Sequence, residues 1–255
     1  MTSLLPVILG AAMAFQVPPA GLAGNLTAQS PRTVAEGNPN LTDETRGDIM
    51  MARKMYRDAI DFYKPASNKS PVLANKTGIA YHQMGDLDNA KKFYERAIKL
   101  DRSYPEAYNN LGTVQYAKKS YGSAIKSYER ALALTPKAAS VWSNLGTAYF
   151  ARKKYTEALR AYQYALELDP EVFERRGSNG VLLQERSVEE KAMFYYTLAK
   201  SYAQAGDWER TLRYIRFALE SGFKDKKRFF EEAVFSGLKE NEEFKELLAT
   251  EQKVL

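Results

Sequence analysis

The chain has 255 residues, of which 45% are hydrophobic and 27% charged, enough for one or two compact domains or one elongated array of repeats. It contains no cysteine and one histidine, His82, which excludes a disulfide framework, a thiolate metal site and an imidazole-rich zinc site. A net charge of +6 leans toward acidic partners but falls short of the clustered basic composition of a nucleic-acid-binding protein.

Residues 1–31 carry no charged side chain; the first is Arg32. Within them, Leu4–Phe15 is an apolar run of signal-peptide length, too short to span a bilayer. Small residues follow, with cleavage expected after Ala23 or Ala28. Residues 1–28 are therefore expected to be a signal peptide and 29–39 a flexible linker. The mature chain would then be periplasmic or otherwise extracytoplasmic, with no membrane insertion. No Lys or Arg precedes the apolar run, so the other reading is a disordered N-terminus on a cytoplasmic protein.

From residue 71 the text repeats. Tyr108 aligns with Trp142, Leu111 with Leu145, Gly112 with Gly146, Ala124 with Ala158, Tyr128 with Tyr162, Ala131 with Ala165 and Pro136 with Pro170. Every offset is 34 residues (142 − 108, 170 − 136), and one period earlier stand Gly78, Tyr81, Ala90, Tyr94 and Ala97. A fixed period of this length is the mark of a repeat array. Each copy predicts two helices of about a dozen residues; in the copy at 139–172 they run from about Ser140 to Arg152 and from about Thr156 to Leu168. Small residues let the helices approach, Tyr128, Tyr149 and Tyr162 are expected to fill spaces between repeats, and Pro136 and Pro170 end the second helices.

The pattern of bulky residue, Leu-Gly, aromatic, Ala, aromatic, Ala and Pro resembles the tetratricopeptide repeat (TPR). In one copy it is carried by Trp142, Leu145, Gly146, Tyr149, Ala158, Tyr162, Ala165 and Pro170. The resemblance implies an all-α, right-handed superhelix over about 40–225, with repeats at about 40–70, 71–104, 105–138, 139–172 and 192–225. The first of these rests on Gly47, Tyr56, Ala59, Tyr63, Ala66 and Pro71, with a junction three residues short. The last rests on Leu198, Ala199, Tyr202, Gly206, Trp208 and Ala218, with Thr211 and Ile215 in place of the usual Ala and aromatic. Residues 226–255 are expected to form C-terminal capping helices, since the end of a solenoid must cover an apolar face. Between the last two repeats lies an insertion, 173–191, in which Ser187 and Glu190 predict a capping box. Its Val181, Leu182 and Leu183 are expected to fold back on the solenoid. The inserted text resembles a linker in exported TPR proteins of soil bacteria such as Acidobacteria.

Packing leaves one face of each first helix for function. The resemblance implies that this face lines a concave groove that holds a protein or peptide partner. The groove set is His82, Asn109, Asn110, Thr113, Tyr116, Asn144, Thr147 and Phe150, with two ladders at the 34-residue offset, Asn110–Asn144 and His82–Tyr116–Phe150. Asparagine can both donate to and accept from an extended peptide backbone, or hydrogen-bond within the superhelix instead. The carboxylate clamp used by some TPR proteins is not expected, because its basic positions fall on Asn75, Ser140 and Asn144. A secondary basic edge is read at Lys118, Lys119, Arg152 and Lys153, in the turns of consecutive copies. There is no Gly-rich phosphate loop, no cysteine nucleophile and no Ser-His-acid set beyond what lone His82 could anchor, so no enzymatic activity is expected; no cofactor and no nucleic-acid partner are expected either. The expected role is a non-catalytic adaptor or scaffold, the alternative a regulatory or substrate-positioning subunit of a cell-envelope enzyme complex.

Overall fold

The computed structural model describes residues 40–174 and 187–249. The apolar segment Leu4–Phe15, the triplet Val181–Leu183 and residues 250–255 lie outside them.

Five helix pairs follow one another: α1 (Asp43–Ala52) with α2 (Tyr56–Tyr63), α3 (Pro71–Gln83) with α4 (Leu87–Leu100), α5 (Pro105–Ala117) with α6 (Tyr121–Leu134), α7 (Ala139–Ala151) with α8 (Tyr155–Leu168), and α9 (Val188–Gln204) with α10 (Trp208–Glu220). Each helix packs on its partner and on the neighbouring pair, the arrangement of an α-solenoid. No strand occurs among the described residues. The sequence sets the starts locally. Thr42, Ser70 and Ser187 cap α1, α3 and α9 through their hydroxyls. Pro71 and Pro105 occupy first-turn positions where no N–H is needed. The box predicted at Ser187 and Glu190 is present in both directions, and α9 begins at Val188, inside the segment read as insertion.

The core of each of the first four repeats is one tyrosine lying on one glycine, sixteen positions earlier. A Cβ on Gly146 would stand 2.5 Å from the ring of Tyr162, and Gly78 and Gly112 stand in the same relation to Tyr94 and Tyr128. These rings therefore sit between the two helices of their own repeat and also pack on the next one, as expected: Tyr128 shares a cluster with Val141 and Leu145, and Tyr162 meets Phe194 edge-on. In the fifth pair the equivalent positions (146 + 53 and 162 + 53) hold Ala199 and Ile215, both fully buried. A methyl on the first helix is matched there by a smaller side chain on the second. Thr211 is buried beside it, its hydroxyl donating to the Asp207 carbonyl at 2.7 Å.

The turn inside each pair needs a left-handed residue. Gly85 and Gly206 supply it in the second and fifth repeats, with φ of 79° and 75°. Lys54, Lys119 and Lys153 take the same conformation at φ near 60°, which costs an L-residue about 1 kcal/mol.

After α10 the chain covers the last repeat with α11 (Lys227–Glu231), a 3-10 turn over Ala233–Leu238, and α12 (Glu242–Ala249). Phe229, Phe235, Leu238 and Phe244 are buried there, and Phe223 stacks on Tyr196 at 4.6 Å. Glu232 ties this cap to α9, accepting from the Tyr196 hydroxyl and pairing with Lys200 at 2.5 Å and Arg228 at 2.9 Å. Burial works against its charge, but the bonds from Lys200, Tyr196 and Arg228 outweigh that and hold the carboxyl below the ordinary value of 4.5. A carboxylate depressed in the folded state stabilises it above the unfolded pKa and loses that contribution as pH falls through the folded one. Wild type should therefore melt above Glu232→Gln at neutral pH, with the gap closing as pH drops below 4.5. A gap independent of pH in thermal melts would contradict this assignment.

Candidate functional site

The first helices of successive repeats are joined by side-chain bonds at each of the first three junctions. Lys76 on α3 donates to Glu44 on α1 at 2.7 Å, Asn110 on α5 to Asn75 on α3 at 3.0 Å, and Asn144 on α7 to Asn109 on α5 at 3.0 Å. The bonded residues are 32, 35 and 35 apart. The first is shorter by the three residues missing from the first junction. The expected pair Asn110–Asn144, taken at the repeat period of 34, is therefore not the bonded one. Successive helices are rotated, so a residue meets the position one beyond its equivalent in the next repeat. The rungs end at α7: Ser143 and Thr197 stand at the next positions, and Thr197 turns its hydroxyl to the Met193 carbonyl instead.

The asparagines thus do hold the superhelix together. Asn75 is buried, but Asn109, Asn110 and Asn144 stay half-buried, and among the described residues nothing engages the Asn109 amide NH2 or the side-chain carbonyls of Asn110 and Asn144. They keep both donors and acceptors free along one face.

A second set of bonds backs the same face from below. The buried tyrosine hydroxyls reach up to it, Tyr63 to Asp48 at 2.6 Å, Tyr128 to Thr113 at 3.3 Å and Tyr162 to Thr147 at 3.3 Å. Burial and the Asp48 bond push the Tyr63 hydroxyl far up, so it stays a donor at any physiological pH. The N-terminal end of the face is acidic. Burial opposes the charge on Lys76, but its bonds to Asp48 and Glu44 hold its pKa above the usual value. Tyr104 donates no bond there but accepts one from the Asn75 amide at 3.3 Å. Glu44, Asp48 and Tyr104 were not among the residues read as the groove. The alternation of a carboxylate or amide on one helix with a donor 32 or 35 residues later could have found them.

Two expected wall residues do not reach the groove. Phe150 is 3% exposed because the ring of Phe194, brought in by the fifth repeat, meets it edge-on at 5.5 Å, with Tyr155 on another side at 5.3 Å. Thr147 is also 3% exposed, its hydroxyl donating to the Ser143 carbonyl at 2.9 Å. Tyr116 is half-buried against Tyr121 at 5.2 Å, so only part of its ring faces outward. The ladder His82–Tyr116–Phe150 is therefore not a continuous exposed stripe. His82 is half-buried, and burial lowers its pKa below 6.5, which makes it a neutral wall residue at pH 7. Thr113, Asn109, Asn110 and Asn144 remain together on the face.

The basic edge lies elsewhere, on the turns. Lys118, Lys119, Arg152 and Lys153 are all exposed there, and Lys118 is taken up by an ion pair with Asp88. No group of three His, Cys, Asp or Glu residues that could hold a metal occurs among the described residues. No described helix is long and apolar enough to cross a membrane.

Family models agree with this architecture. One described as "TPR repeat" matches residues 78–119 and 114–152, and one described as "Tetratricopeptide repeat" matches 139–172. The chain is 31% identical over 90 residues to the "Hsp70-Hsp90 organizing protein" of Triticum aestivum, covering 33% of this chain and 15% of that one. It is 28% identical over 102 residues to the "Heat-shock protein cognate (HSC) co-chaperone sgt12" of Aspergillus fumigatus, covering 39% of this chain and 30% of the relative. The chain therefore spans less than a third of the length of either curated relative. Among solved structures, a crystal structure of MamA superposes with a TM-score of 0.50 at 22% identity, over 69% of this chain and 93% of that one.

Proposed function

Since this chain is a tetratricopeptide-repeat protein, we propose that it is a non-catalytic adaptor that grips an extended segment of a partner protein on the face of α1, α3, α5 and α7. The observation that carries this reading is the asparagine ladder. Asn109, Asn110 and Asn144 are fixed by their rungs, so no rotamer entropy is lost when a ligand arrives. Their remaining amide groups match the alternating N–H and C=O of a peptide backbone. The curated relatives are named as an Hsp70-Hsp90 organizing protein and a heat-shock cognate co-chaperone. The likeness lies in the repeats and not in a clamp for acidic tails, because Asn75, Ser140 and Asn144 stand at the basic positions of such a clamp. The groove of this chain is instead neutral in its middle and carries Glu44 and Asp48 around Lys76 at its N-terminal end.

Replacing Asn110 and Asn144 together by Ala tests the reading. Peptides selected from a random library on wild type should bind the double variant more weakly by about 1–3 kcal/mol. Loss of two half-buried rungs should lower stability by only about 1–2 kcal/mol, so thermal melts separate lost contact from lost structure. Unchanged affinity would place binding off this face.

A further inference from the structure

The turn inside each repeat opens beside the end of the next repeat's first helix, and two consecutive junctions fill that space in different ways. Between the second and third repeats, Asp88 in the first turn of α4 pairs with Lys118, the C-cap of α5. One period later (88 + 34 = 122, 118 + 34 = 152) the same positions hold Gly122 and Arg152. The cation is kept and its carboxylate is gone. Arg152 still reaches across, its Nη1 3.5 Å from where a Cβ on Gly122 would stand. Lys119, Lys126, Ser120 and Ser123 line the same open pocket, of about 530 Å³. Among the described residues no carboxylate pairs with Lys119, Lys126 or Arg152, whereas neighbouring Lys154 is held by Glu157 at 3.4 Å. Helix α6 brings no acid in its first turn to offset them.

We propose that this notch, on the turn edge and outside the groove, binds an acidic segment of a protein partner. It seats an Asp or Glu carboxylate where Asp88 sits one repeat earlier. The neighbouring junction is the template: a cation at the equivalent C-cap, Lys118, already takes up a carboxylate there. Arginine in place of lysine adds a planar fork of donors suited to that group. The site is local. Asp86 and Asp88 lie before it, and Glu157 and Asp207 after it. They break the edge into short basic stretches, unlike the extended basic face that a membrane or a nucleic acid backbone needs.

The probe is a short fluorescein-labelled peptide of alternating Ser and Glu, followed by anisotropy at low salt. Wild type should bind it saturably, and Arg152→Ala should weaken binding about tenfold. Gly122→Asp restores the internal partner. It should abolish most of the binding while leaving the melting temperature unchanged or raised, because φ at Gly122 is ordinary and the added Cβ meets only the guanidinium. Gly122→Asn, without the charge, should still bind. The Asn110→Ala, Asn144→Ala double variant should bind the acidic peptide as wild type does, which keeps this site distinct from the groove. The proposal is overturned if wild type shows no saturable binding or if Gly122→Asp binds normally. Tighter binding of phosphatidylserine vesicles or of an oligonucleotide than of the peptide would overturn it too.

Discussion

Ala158→Asp is expected to unfold the fourth repeat, at a cost of about 4 kcal/mol or more. Ala158 is fully buried at the start of α8, in the cluster that contains Tyr162, Ala165 and Phe150. Its carbonyl oxygen lies 3.2 Å from where a Cβ on Gly146 would stand, so the two helices touch at this point. A carboxylate has no room there and no cation of its own. Leu145→Ala supplies the calibration: Leu145 is 3% exposed, and the cavity it leaves should cost about 2–4 kcal/mol. Because each repeat is stabilised by its neighbours, the damage should spread from α8 outward. Urea titration gives the magnitudes and hydrogen exchange the spread. Protection of α7 and α8 unaltered by either substitution would mean that the repeat frame is misplaced.

Gly146→Ala should be nearly as harmful despite adding one methyl group. The new Cβ would fall 2.5 Å from the Tyr162 ring, which is itself locked edge-on against Phe173 at 5.3 Å and Phe194 at 6.0 Å. With no free direction for the ring to move, the cost is about 2–3 kcal/mol of overpacking. The fifth repeat shows how the chain accommodates that methyl, pairing Ala199 with Ile215. Tyr162→Ile alone should destabilise through lost ring contacts. In that background Gly146→Ala should cost far less than in wild type, with a coupling of about 1–2 kcal/mol. Additive effects in the double-mutant cycle would show that the ring and the glycine do not share this space.

The repeat frame was legible because each of its marks answers to a local constraint. Gly146 leaves space for a ring, Pro170 blocks a further turn, and Ser187 with Glu190 starts a helix. The glycine and the proline recur at 34 residues whatever the superhelical twist. The groove was less legible because it depends on that twist. Asn144 meets Asn109 and not Asn110, a shift of one position set by the rotation between repeats. Phe150 reads as exposed from its own helix alone. Its burial requires Phe194, which the insertion separates from it by 44 residues (194 − 150) and moves out of the regular frame. The acidic end of the face was missed for a similar reason, since Glu44 finds Lys76 only once the shortened first junction is counted.

Site-specific photo-crosslinking tests the peptide-holding face most directly. A benzophenone amino acid is placed at exposed Ser140, on the first helix of the fourth repeat, or at exposed Glu167, on its second helix. Each variant is irradiated with a peptide selected from a random library on the wild-type protein. Crosslinks from position 140, competed by unlabelled peptide and absent from position 167, are the predicted result. Crosslinks from position 167 alone would contradict it and move the partner to the outer face of the repeats.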